Sequence, residues 1–119
     1  MINRSILTEA MYEAIKLAAT RMPPDVRAAL ERARAEEIEP MAKMHLDSSL
    51  ANADAAERGE GLVCADTGFP LFFFTAGSRT QIEGGFGSLR ICAEKAVARA
   101  TRECLLRPTM VDPLDRRNP

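Results

Sequence analysis

A chain of 119 residues can bury one modest hydrophobic core, and 46% apolar with 28% charged residues describe a globular chain rather than a disordered one. A formal net charge of -1, with acids and bases interspersed and no basic block beside aromatic residues, argues against nucleic acid as a partner. The longest apolar run, Phe69 to Phe74, is interrupted by Pro70 and is far too short to span a bilayer, so no membrane role is expected.

The opening "MINRSILTEAMYEAIKLAAT" carries Glu9, Glu13 and Lys16, which interrupt any signal-type apolar core, and a cytoplasmic location is expected. In its place Leu7, Met11, Ala14 and Leu17 or Ala18 recur at spacings of three and four, the stripe of a first helix. Pro23-Pro24 ends it, and Pro24 suits the first turn of a second helix with Val26, Leu30 and Ala33 inward. Pro40 marks a third start, preceded by Glu37 and Glu39 at the positive helix end. Ala42, Leu46, Leu50 and Ala53 form its buried face, and Arg58-Gly59 is the stop.

The pattern changes at Gly61. Leu62–Cys64 and Leu71–Thr75 read as two short β runs flanking an Asp66-Thr67-Gly68 turn. After "EGGFGS" a long helix returns from about Ser88 to Cys104, with Ser88 as its cap and Leu89, Ala93, Ala96 or Val97, Ala100 and Cys104 inward. Residues 106–119 hold three prolines without periodicity and read as an extended tail. The expected fold is α+β, predominantly helical: N-terminal helices, a short β segment around residues 62–75, a long helix and that tail. No internal repeat is visible, and 1–119 reads as one partial domain.

Chemistry concentrates in few places. Cys64 and Asp66 sit two apart on a turn and can share a cavity as thiolate and proton-exchanging carboxylate; a packed thiol and an Asx-turn explain the same residues, and residue types alone favour that plainer reading. Cys92 and Cys104 lie about 120° apart around one helix, cannot jointly ligate a metal, and read as structural. His45 has no second histidine one turn on. Gly84, Gly85 and Gly87 lack the rest of a nucleotide loop and read as a strand-to-helix turn. Arg107 carries a carboxylate-clamping guanidinium beside the stiffening Pro108, or is a surface charge.

"PPDVRAAL", "VCADTGFPLFF", "IEGGF" and "LRPTMVDPLDRRNP" occur in the order and spacing found in the alpha part of class I (iron–sulfur) fumarases and tartrate dehydratases, which this chain resembles over essentially its whole length. The resemblance implies a hydro-lyase that adds or removes water on a small hydroxy-dicarboxylate. It implies that Cys64 is one of three ligands of a [4Fe-4S] cluster, that Asp66 is the catalytic acid, and that Arg107 grips a substrate carboxylate. In that chemistry the cluster's open iron acts as Lewis acid on the substrate hydroxyl, and arginine neutralises carboxylate charge as it builds. The residue between cysteine and aspartate, often Gln in the family, is here Ala65. The relatives' alpha chains are more than twice as long and place the other two cluster cysteines beyond this stretch. A beta subunit or domain supplies the base, so the chain alone is expected to be inactive; apolar surface left exposed is expected to make it self-associate, and a homo- or hetero-oligomer is expected. The contrasting reading is a truncated, non-catalytic helical remnant or partner-binding domain. A thiol enzyme using Cys64 as nucleophile lacks a nearby histidine base and ranks last.

Overall fold

The computed structural model describes residues 1–64, 69–108 and 111–117. Four α-helices occur among them: α1 (Arg4–Thr20), α2 (Pro24–Glu36), α3 (Pro40–Glu57) and α4 (Ser88–Arg102). Proline stands in the opening turn of both α2 and α3, where its missing N–H costs nothing. The Asn3 side chain accepts the Ile6 amide at 2.9 Å and starts α1. Ahead of α3 the Glu37 carboxylate accepts the amides of Ile38 and Glu39 at 2.8 and 2.9 Å. Those two bonds, Glu39 first, hold its carboxyl below the usual carboxylate range.

The chain divides into two compact sets of residues, Leu17–Cys64 and Met1–Lys16 with Ala65–Pro119. Within Leu17–Cys64, α2 packs antiparallel on α3, with Arg27 paired to Asp54 and Arg34 to Asp47, both at 2.8 Å. Its buried residues are small: Ala19, Ala53 and Ala56. α2 buries none of the stripe expected for it: Val26 and Ala33 are exposed and Leu30 is half-buried. Ion pairs over a few alanines hold this hairpin, and solvent screening weakens exposed pairs of that kind.

In Met1–Lys16 with Ala65–Pro119, α4 lies along the first turns of α1. Met11, Tyr12 and Ile15 pack against Cys92, Ala96 and Ala100, with Leu7, Phe72, Leu89, Val97, Leu105 and Leu106 around them. The two innermost alanines, both 0% exposed, let the helices approach closely. Tyr12 is buried and its hydroxyl donates to Glu103, while the Arg99 guanidinium lies 3.5 Å from the Tyr12 ring centre. Arg99 also pairs with Glu9 and Glu103, at 2.8 and 3.0 Å. The Glu103 carboxylate raises the Tyr12 hydroxyl pKa, and the Tyr12 hydroxyl followed by Arg99 lowers that of Glu103.

Several expectations are corrected by this packing. On α1 the buried line runs through Met11, Ile15 and Ala19, with Tyr12 beside it, while Ala14 and Ala18 are exposed and Leu17 is 48% exposed. A step of four from Met11 selects Ile15 over Ala14, and Tyr12 one position on widens the buried face. Ser88 is not the cap of α4: Gly87 occupies that place, and the buried Ser88 hydroxyl donates back to the Gly85 carbonyl at 2.8 Å. Within the described part of the tail, Asp112 and Arg117 close a turn around Pro113–Asp115.

The β segment around residues 62–75 is absent among the described residues, where the sole β pairing is a single parallel bridge between Ile2 and Ile82. Leu62–Cys64 is held otherwise. The Val63 amide donates to Ala19 O at 2.9 Å, and the Asn52 side chain donates to the Leu62 and Val63 carbonyls. Among the described residues no strand lies beside Phe69–Ala76, and a strand exists only when a neighbour completes its ladder. The turn between the two runs, residues 65–68, lies outside the described residues.

Helix ends supply a contrast. α3 closes on Gly59 at φ 80°, with Glu60 N to Ala55 O and Gly59 N to Ala56 O, a Schellman motif. α4 closes with the same two bonds, Leu105 N to Ala100 O and Cys104 N to Thr101 O, but places Cys104 at φ 60°. Cys104 is thus an exposed helix stop and not the inward-facing residue expected of it. A side chain in the left-handed region costs about 1–2 kcal/mol, partly offset by the greater unfolded-state freedom of glycine. Cys104→Gly is therefore expected to raise unfolding stability by about 0.5–1 kcal/mol, read as a higher urea midpoint at unchanged slope. A lower midpoint would show that the thiol earns more from its surroundings than the backbone loses.

Candidate functional site

No two of the three candidate residues are described within one compact set. Cys64 is the last residue of Leu17–Cys64 and is an exposed thiol. Its approach is fixed by Val63, whose amide and carbonyl bind Ala19 and Asn52. Asp66, the expected catalytic acid, lies outside the described residues. Arg107 follows α4 and is exposed; Leu105 and Leu106, packed on the α1–α4 core, anchor the chain just before it. Pro108 then stiffens the backbone on its other side.

The other cysteines take structural places. Cys92 is 1% exposed, and its thiol faces the Arg4 carbonyl at 3.6 Å. Cys104 ends α4. His45 is exposed on α3. Among the described residues no group of three or more His, Cys, Asp or Glu side chains could hold a metal ion. An exposed thiol fits one ligand of a cluster, and Cys92, facing a backbone carbonyl inside the core, does not fit a second. The donor set described here does not hold a cluster alone.

The glycine loop before α4 is braced rather than open. Ile2 donates to Gln81 O at 2.8 Å and accepts from the Glu83 amide at 2.9 Å. The Glu83 carboxylate accepts the Arg4 amide at 3.0 Å, beside the positive end of α1. Gly84 and Gly85 both have positive φ, and a side-chain carbon on Gly84 would stand 3.6 Å from the Arg4 guanidinium carbon. A tight turn into a helix was legible in the three glycines; the Arg4–Glu83 brace, joining residues 79 apart, had no local signal. Among the described residues no helix is long and apolar enough to cross a membrane.

Residues 8–119 match the family described as Fumarate hydratase (Fumerase), and the chain belongs to that family. More particularly, it is 33% identical over 115 residues to a putative fumarate hydratase class I of Geobacillus stearothermophilus, covering 94% of this chain and 21% of that protein. It is 32% identical over 114 residues to a putative L(+)-tartrate dehydratase subunit alpha of Methanocaldococcus jannaschii, and 31% identical over 112 residues to L(+)-tartrate dehydratase subunit alpha of Escherichia coli. Those two alignments cover 94% of this chain and 39% and 36% of the respective subunits. The chain thus spans between about a fifth and two fifths of the curated relatives it matches.

Proposed function

We propose that this chain is part of an iron–sulfur hydro-lyase that adds or removes water on a small hydroxy-dicarboxylate, working with the rest of an α-type domain and with a β-type subunit or domain. The observation that carries the reading is the family match over residues 8–119, within which Cys64-Ala65-Asp66-Thr67-Gly68 and Leu106-Arg107-Pro108 both fall. Residues 1–119 are then one portion of a single α-type domain.

In this reading Cys64 contributes one thiolate of a [4Fe-4S] cluster whose other ligands come from elsewhere. Its exposure suits a ligand that must face a group bound outside the chain's own core. Asp66 is the proton-exchanging acid, and Arg107 pairs with a substrate carboxylate, its planar fork matching two oxygens at once. The anchored Leu105-Leu106 before it and Pro108 after it limit how far that guanidinium can wander.

The test is anaerobic co-production of the chain with the remaining α-type and β-type polypeptide, followed by iron and sulfide reconstitution. The cluster's visible absorption and dicarboxylate turnover are expected, and both should be lost in Cys64→Ser. Cluster and turnover that survive Cys64→Ser would remove this function.

A further inference from the structure

Phe69–Ala76 has no helix, strand or turn assigned to it, and from Phe69 to Phe74 its residues are apolar at every position. Phe72 packs on the α1–α4 core, and the Phe72 and Phe74 rings stack with centres 6.2 Å apart, so alternate residues point the same way as in a strand. The alternate residues on the other side are equally apolar and lie in solvent: Phe69 is 71% exposed, Leu71 78% and Phe73 92%. Among the described residues no backbone group from Phe69 to Ala76 makes a hydrogen bond. Pro70, unable to donate, stands at the entry to the run, where a strand tolerates it.

A strand with one solvated face alternates apolar and polar residues, whereas a run apolar on both sides is a strand covered on both faces. Among the described residues one face and both edges are open. We infer that Phe69–Ala76 is a docking strand for the rest of an α-type subunit, which pairs with its backbone as a neighbouring strand and covers Leu71 and Phe73 with an apolar layer. A second copy of the chain fits less well. Pairing two copies edge to edge would leave Leu71 and Phe73 of both in water, and an isolated two-stranded ribbon is marginal. The remainder of an α-type subunit has the extent for both tasks, since the aligned stretch is only 36–39% of the two tartrate dehydratase alpha subunits. The inference rests on the proposed membership of such a subunit and asks nothing of the cluster.

The test is hydrogen exchange read by mass spectrometry on the peptide covering Phe69–Ala76. In the 119-residue chain alone these amides are expected to exchange at free-chain rates at every protein concentration. In a chimera that carries this chain in place of the matching stretch of the Methanocaldococcus jannaschii subunit alpha, they are expected to become protected. The double substitution Leu71→Lys, Phe73→Lys should abolish that protection, yet leave the isolated chain's helical signal unchanged, because both side chains are already exposed in it. Protection that appears in the isolated chain and grows with concentration would assign the strand to a second copy and overturn the inference. So would exchange in the chimera as fast as in the chain alone, whatever the state of the rest. Protection without cluster absorption would remove the proposed function and keep the strand; turnover without protection would do the reverse.

Discussion

In the proposed hydro-lyase, Asp66→Asn is expected to lower kcat by about 10²–10⁴-fold while KM for the dicarboxylate stays within roughly a few-fold. The amide matches the carboxyl in size and keeps an acceptor, so binding changes little, but it cannot exchange a proton at any working pH. The limb of the pH–rate profile that reports this carboxyl should vanish with it. Arg107→Lys should act oppositely. The charge remains but the planar fork does not, so KM rises while kcat falls less. If Asp66→Asn only raised KM, the carboxylate would be a binding group, and the proposed division of labour between Asp66 and Arg107 would be wrong. Stopped-assay kinetics of both variants, at several pH values and with matched cluster content, separate these outcomes.

Much of the helical frame could be read because its signals are local. Pro24, Pro40 and Gly59 each act within one turn, and each stands where its chemistry required. Burial was harder to read. The α2 stripe Val26, Leu30, Ala33 has sound periodicity, yet ion pairs to Asp47 and Asp54 hold the helix instead. Periodicity says which residues share a face, not whether a partner covers that face. The β segment fails for the same reason: Leu71–Thr75 has strand composition and strand-like alternation, but among the described residues no neighbour with which to form a ladder. The site divides likewise. The types and order of Cys64, Asp66 and Arg107 carry the family resemblance, whereas which side chains meet in space is not a local property of the sequence, and Asp66 lies outside the described residues. Cys104 was misread because a helix stop with positive φ suggests glycine, and nothing in the sequence announced a cysteine there.

Met11→Ala is expected to cost about 2–5 kcal/mol of unfolding free energy, a large share of the roughly 5–15 kcal/mol typical of a folded domain. Met11 is 3% exposed and belongs to the cluster with Cys92, Ala96 and Ala100. Three of those neighbours are small, so few side-chain atoms on α4 can swing into the space a methionine leaves. The helices are meanwhile pinned by the Tyr12–Glu103 hydrogen bond and the Arg99 pairs with Glu9 and Glu103, which resists collapse of the backbone into the gap. Cavity cost therefore adds to the lost transfer energy instead of relaxing away. Met11→Leu, close in volume, should cost less than about 1.5 kcal/mol at the same position. Urea unfolding followed by helical circular dichroism separates the two substitutions. A Met11→Ala loss no larger than that of Met11→Leu would mean that the α1–α4 seam closes around the vacancy, and that the alanines of α4 set a softer contact than their burial implies.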